Sequence, residues 1–220
     1  MVLVDRPRTS TVSVDVLTLR YSHVDRRVEI AVAHRQTEPY LGRLALPGVV
    51  LREGERLADA AERAVAAKLE LPLRAQGQLT VFDEPHRDPR GATLSVAMWG
   101  VTEDADSDAA HWYDLDELPE LAFDHNDIVR ECRPLLIERL WRDLAFTRAV
   151  TGPSFPVSAA VAITRSLTGA PPDRGNLNRR LASIPGLGVS HRKVMLGRGR
   201  PGTLWEWHPA AASTTEPTHP

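Results

Sequence analysis

Apolar and polar residues alternate with a period of two over residues 11–21 (TVSVDVLTLRY), the pattern of a strand with one face turned to a core. Residues 28–34 (VEIAVAH) repeat it after the charged turn Asp25-Arg26-Arg27. A short apolar run at 44–46 leads into a loop with Gly48 and Gly54, and there the period lengthens. Leu57, Ala60, Ala61, Ala64, Val65 and Lys68 share one side of a helix that Pro72 stops. Strand character returns at 78–83 and 93–101, on either side of the polar loop 84–92 (EPHRDPRGA). His111-Trp112-Tyr113-Asp114 opens a further short element after an acidic loop. Helices dominate from there. The first is predicted from Asp124, its N-cap, to about Leu144, with Pro134 kinking or dividing it. A second covers 157–167 and ends at Gly169-Ala170-Pro171-Pro172. A third, RGNLNRRLASI, is N-capped by Asp173 and stopped by Pro185-Gly186. A hairpin of 191–196 and 203–207, joined through GRGRPG, closes the series.

The pattern divides the chain at Gly152, Pro153 and Pro156. The expected domains are 1–148 and 149–208, followed by a polar tail, 209–220, that is too poor in apolar residues to fold. Helix, brief turn, polar helix and hairpin is the order of a winged helix-turn-helix. Charge sharpens this division. From Phe146 onward nine Lys or Arg face three Asp or Glu, although the whole chain has a net charge of −2. A basic second part joined to an acidic first part points to one polyanion-binding domain. On the polar helix, Asn176, Asn178, Arg179 and Arg180 are residue types that read base edges or grip phosphates. Lys193 adds a cation in the hairpin, and Arg198-Gly199-Arg200-Pro201 at its tip resembles the core of an AT-hook. Double-stranded DNA is the expected partner of these seven residues. A lone Cys132 excludes an intrachain disulfide and a cysteine-cluster zinc site. With no apolar run of about 20 residues and no signal segment, the expectation is a soluble cytoplasmic protein without a membrane partner.

The stretch 44–71 resembles the Nudix box residue by residue. That signature reads Gly, five residues, Glu, seven residues, Arg-Glu, apolar, any, Glu-Glu, any, Gly. Its positions are filled here by Val49, Glu55, Arg63-Ala64, Val65, Ala66, Ala67-Lys68, Leu69 and Glu70. Loop 84–92 resembles the DPRG segment of Nudix proteins related to ADP-ribose pyrophosphatases. An eroded box followed by a basic winged helix with a GRGRP tip is similar to the Nudix-related transcriptional regulators of NAD metabolism. This resemblance spans residues 11–208. It implies an α/β (α+β) protein, with an N-terminal Nudix-like α/β/α sandwich and a C-terminal winged helix-turn-helix. It also implies a homodimer acting as repressor on operators of NAD-biosynthesis genes, with ADP-ribose or a related nucleotide as effector and no cofactor. The alternative is a Nudix hydrolase of nucleoside diphosphate derivatives.

In such a hydrolase, glutamates at 64, 67 and 68 stack on one helical face and gather Mg²⁺, which polarises a pyrophosphate. Here the three positions hold Ala64, Ala67 and Lys68, and Glu62 and Glu70 lie on other faces. Neither a metal nor a catalytic residue is therefore expected. Glu55, Lys68, Arg87, Asp88 and Arg90 are the candidate ligand-binding residues. Arg87 and Arg90 offer planar forks for a pyrophosphate and Asp88 a partner to orient one of them; the plain alternative is an exposed turn with solvated charges. An unpaired buried ammonium is costly, so Lys68 either pairs with an acid such as Glu55 or waits for an anionic ligand. His125 reads as a capping or packing residue.

Overall fold

A computed structural model describes residues 9–190 and 203–208. Lys193, Arg198, Arg200 and the tail lie outside these described residues. The centre of the sheet is strand β1 (Thr11–Ser22), which pairs antiparallel with β2 (Arg27–His34) through Thr18↔Ala31 to Ser22↔Arg27. Strands β3 (Leu44–Ala45) and β4 (Gly48–Val50) precede the loop into helix α1 (Leu57–Leu69), and pair with β2 and β1 respectively. Next come β5 (Ala75–Phe82) and β6 (Thr93–Val101). β6 returns parallel to β1, from Thr11↔Thr93 to Leu19↔Val101, and β5 forms the edge beyond it. β7 (His111–Asp114) completes a seven-stranded sheet against β2.

Helix α1 covers one face. Its buried alanines, Ala60, Ala61 and Ala64, allow close approach to Val14, Val16, Val96 and Met98. The opposite face is covered by α2 (His125–Arg139) and α3 (Leu144–Thr151), which enclose Leu17, Leu19, Ile30, Ile128, Leu136 and Phe146. Trp99 fits into this layer because β5 has no side chain at Gly77. A Cβ there would lie 2.6 Å from the indole Nε1. Buried Cys132 belongs to the same layer, and burial pushes its thiol up to about 12.

The long helix expected to reach Leu144 is two helices, and Pro134 does not divide them. Buried Ile128, Val129, Cys132 and Leu136 hold α2 against the sheet on both sides of the proline, so packing offsets the lost helical hydrogen bond. The break falls at 140–143. Trp141 there takes a φ of 64°, and Asp143 caps α3 by accepting from the amides of Ala145 and Phe146. Asp124 precedes α2 but makes no side-chain cap, because its carboxylate is bound elsewhere.

The C-terminal part continues with β8 (Ser154–Pro156), α4 (Val157–Thr168), α5 (Arg174–Ala182), β9 (Leu187–Val189) and β10 (Leu204–Trp207). The three strands form an antiparallel sheet in the order β8-β10-β9. Together with α3 this is the element order of a winged helix. Asp173 caps α5 as expected, accepting from the Asn176 amide at 2.7 Å. β10 pairs with β9, Leu187–Val189, which was not expected, while residues 191–196, read as the first hairpin strand, lie outside the described residues. The segment at which the chain was divided contains β8. The expected boundary at 148/149 also falls inside α3, whose Phe146 and Val150 share one core with Leu17 and Trp99.

Candidate functional site

A cleft opens where the end of β2, the β3–β4 connection, loop 84–92 and the start of α2 meet. Asp15, on the central strand, is buried at its floor and accepts a 2.5 Å hydrogen bond from Ser95 Oγ. Gly48 makes room for that carboxylate: a Cβ would stand 2.1 Å from Asp15 Oδ1. His125 closes the floor from α2. Its Nδ1 accepts the Leu46 amide at 2.9 Å, which fixes the proton on Nε2, 3.7 Å from Asp15. Burial holds its pKa below the ordinary value, so the ring is neutral. Of the two readings, cap or packing residue, His125 is the second: it packs as a buried, hydrogen-bonded wall of the cleft.

Arg87 is withdrawn into the wall, its side chain 4% exposed, and forks onto Asp124 with distances of 2.9 and 2.8 Å. This pair explains the missing cap of α2. Arg90 and Asp88 pair within the loop, at 3.0 and 2.7 Å, and the Arg90 guanidinium lowers the Asp88 pKa. Asp88 therefore orients Arg90, one of the two arginines read from the sequence. Arg35 and Phe123 also line the cleft, and no sequence signal pointed to either. The Arg35 guanidinium lies 4.6 Å from the Phe123 ring centre and Arg90 lies 5.7 Å from it. Asp15 was detectable as a lone carboxylate in an alternating strand, and Arg35 was not.

Glu55 is spent on the box itself. Both its oxygens accept from Arg63 at 2.7 Å, and one accepts from the Arg52 amide. These bonds, the Arg63 contacts first, bring its pKa to about 2. Glu55 thereby fixes the loop before α1 and is not free to pair with Lys68. Lys68 reaches the cleft from the last turn of α1 and has no ionic or hydrogen-bonding partner among the described residues. The residues do not fit a divalent metal. Ala64 is buried under α1, Ala67 faces solvent, and no three His, Cys, Asp or Glu side chains gather among the described residues.

The second region is α5. Leu177 and Leu181 face the core, leaving Asn176, Asn178 and Arg179 exposed. Arg179 is hydrogen-bonded to Asn176 Oδ1. Arg180 is also exposed, but its Nε turns back to the Trp141 carbonyl at 3.3 Å and ties α5 to the α2–α3 turn. Lys193, Arg198 and Arg200 lie outside the described residues.

The fold and the cleft define a class: a Nudix-type sandwich with an eroded box, carrying a winged helix packed on its sheet. No family model matches the chain. It is 32% identical over 114 residues to the ADP-ribose pyrophosphatase of Methanocaldococcus jannaschii, a match covering 49% of this chain and 68% of that protein. The chain belongs to the Nudix family that includes this enzyme. The full architecture is that of Shewanella oneidensis NrtR crystallised with a 27mer DNA, with a TM-score of 0.73 at 24% identity over 89% of this chain and 93% of that one. The NUDIX domain of the same NrtR, complexed with ADP ribose, aligns with a TM-score of 0.50 at 24% identity, covering 59% of this chain and 90% of that one. Among the described residues no helix is long and apolar enough to cross a membrane.

Proposed function

We propose that this protein is a nucleotide-responsive transcriptional repressor of NAD-biosynthesis genes, a cytoplasmic homodimer that senses ADP-ribose or a related nucleotide. The observation that carries this reading is the conjunction of a carboxylate-poor cleft with a basic winged helix on one continuous core. The DNA-bound and ADP-ribose-bound structures of NrtR support it by likeness of fold. Asn176, Asn178 and Arg179 on α5 face the DNA, and Lys193, Arg198 and Arg200 extend the contact. In the cleft, Arg87, Asp88 and Arg90 position the ligand.

Helix α2 links the two sites. Its first residue, His125, forms part of the cleft, and the preceding Asp124 holds Arg87. Further along, Arg133 donates to the carbonyls of Leu167 and Ser166 at the end of α4, at 2.8 and 2.9 Å. A ligand that draws on Arg87 weakens its hold on Asp124 and moves α2, and α4 follows.

The reading is tested by titrating DNA from the protein's own neighbouring promoter region across a salt series, with and without ADP-ribose. Saturable binding that ADP-ribose shifts is expected. Arg179→Ala should lower the salt slope by about one counterion. Binding no tighter than to unrelated DNA would overturn the regulator.

A hydrolase remains the second reading, because the curated relative is an ADP-ribose pyrophosphatase. Ala64, Ala67 and Lys68 argue against it. With Mg²⁺ or Mn²⁺ the purified protein is expected to leave ADP-ribose intact. Turnover in the ordinary enzyme range, roughly 1 to 1000 per second, would establish the hydrolase instead.

A further inference from the structure

Four cations line the cleft, and they fall into two kinds. Arg87 and Arg90 already have carboxylates at hydrogen-bond distance, Asp124 and Asp88. Among the described residues Lys68 and Arg35 have none at that distance. The Arg35 guanidinium is held by carbonyls, Nε to Pro39 at 2.7 Å and Nη2 to Thr37 at 3.2 Å, and by the ring of Phe123. Carbonyls and a ring fix its position without neutralising it. Burial and the positive charge of Arg90 disfavour its charged form by more than the nearby carboxylates of Asp88, Asp15 and Glu38 favour it. Lys68 gains some electrostatic favour from the C-terminal end of α1, which supplies it with no hydrogen-bond acceptor. Asp15 lends Arg35 some electrostatic favour but bonds neither cation, because its carboxylate lies on the floor with Ser95, Arg87 and His125 around it.

The geometry points to Lys68 and Arg35 as the pair that holds a pyrophosphate dianion directly, in place of the divalent cation that box carboxylates would have gathered. Two fixed positive charges match the two negative charges of a pyrophosphate diester. Lys68 approaches from α1 and Arg35 from the end of β2, so the anion is gripped from opposite elements of the cleft mouth. The metal dependence of the site is inverted as a result. In a carboxylate-lined site Mg²⁺ bridges protein and phosphate. Here Mg²⁺ competes with the protein for the same phosphate oxygens, and its presence weakens binding. This inference rests on the nucleotide-sensing reading above and deepens it.

Calorimetry with the full-length protein and ADP-ribose tests it, in EDTA and then in millimolar Mg²⁺. Binding in EDTA that millimolar Mg²⁺ weakens is expected. Lys68→Ala and Arg35→Ala should each bind about ten- to a hundredfold more weakly in EDTA, the loss typical of a charged hydrogen-bond partner. Lys68→Arg keeps the charge and should retain most of the affinity. Lys68→Glu should lose binding in EDTA and recover part of it in Mg²⁺. Lys68 is partly exposed, so these variants are expected to melt with the parent. Parent binding that requires Mg²⁺, or unchanged affinity in both alanine variants, would overturn the inference while leaving the sensor intact. No heat from millimolar ADP-ribose in either buffer would remove the sensor reading, and the inference with it.

Discussion

Phe146→Ala is expected to lower the free energy of unfolding by about 3–5 kcal/mol, the range for emptying a phenylalanine site in a close-packed core. Phe146 is fully buried on α3, its ring meeting Trp99 of β6 edge-on at a centroid distance of 5.1 Å. Two terms add: the lost transfer of the ring and the cavity left against a rigid sheet. The second is large here because Gly77 already lets Trp99 settle against β5, so the indole has little freedom to refill the space. Most domains have only about 5–15 kcal/mol of stability in total. The variant therefore approaches the threshold of folding at 37 °C. Phe146→Leu should recover more than half of the loss. Urea denaturation followed by tryptophan fluorescence and by far-ultraviolet circular dichroism measures both. The two signals should report one transition, because α3 belongs to the winged helix by topology and to the sheet core by packing. A loss below about 1 kcal/mol would mean that α3 does not join the two parts.

The second large effect is expected on coupling rather than stability. Arg133→Ala should leave ADP-ribose and DNA binding separately intact and abolish the influence of one on the other. Coupling between such sites is typically 1–3 kcal/mol, about 5- to 150-fold in affinity, and in the variant it should fall toward unity. Arg133 is the described side chain of α2 that donates to carbonyls at the end of α4, and it also pairs with Asp116. Asp116→Asn separates the two roles, since it removes the ion pair and leaves the α4 carbonyls bonded. That variant should keep most of the coupling. The comparison needs four titrations: DNA with and without ADP-ribose, for the parent and for Arg133→Ala. A parent without coupling would count against the regulator, whereas undiminished coupling in Arg133→Ala would count only against this route through α2.

The strands and α1 were legible because each has a strong period, although β1, β2 and β6 are buried on both faces rather than on the single face that alternation implied. The alternation of 11–21 survives as β1, and the buried residues of α1 repeat the apolar side read from the sequence, with Lys68 at its margin. The winged-helix order was readable from Asp173, the Gly-Pro stops and the basic excess. Strands of three residues were not. β8 and β9 have too few residues to show a period, and each exists because β10 supplies its partners. The candidate site divided along similar lines. That Asp88 orients one of the loop's two arginines was legible, because a loop can set such geometry alone; that the one is Arg90 was not. Arg35 and Phe123 were not, since nothing in the sequence records that a ring from before α2 lies beside a guanidinium from the end of β2.

The sequence by itself determined that the box cannot gather carboxylates, because residue identity at 64, 67 and 68 fixes the donor set in any conformation. It also determined that charge is segregated along the chain, since composition does not depend on folding. What Asp124, Pro134 and Lys68 do was decided only by tertiary structure. Asp124 is a good helix cap by type, yet Arg87, 37 residues away in the chain, takes its carboxylate. Pro134 is a helix breaker by type, yet packing against the sheet holds α2 through it, and the chain turns at Trp141 instead. Glu55 was a candidate partner for Lys68 by charge, and the bidentate fork of Arg63 took it instead. In each case a local preference worth about 1–3 kcal/mol met a long-range partner of equal or greater strength. Such contests are settled by which groups the fold brings within about 3 Å of one another.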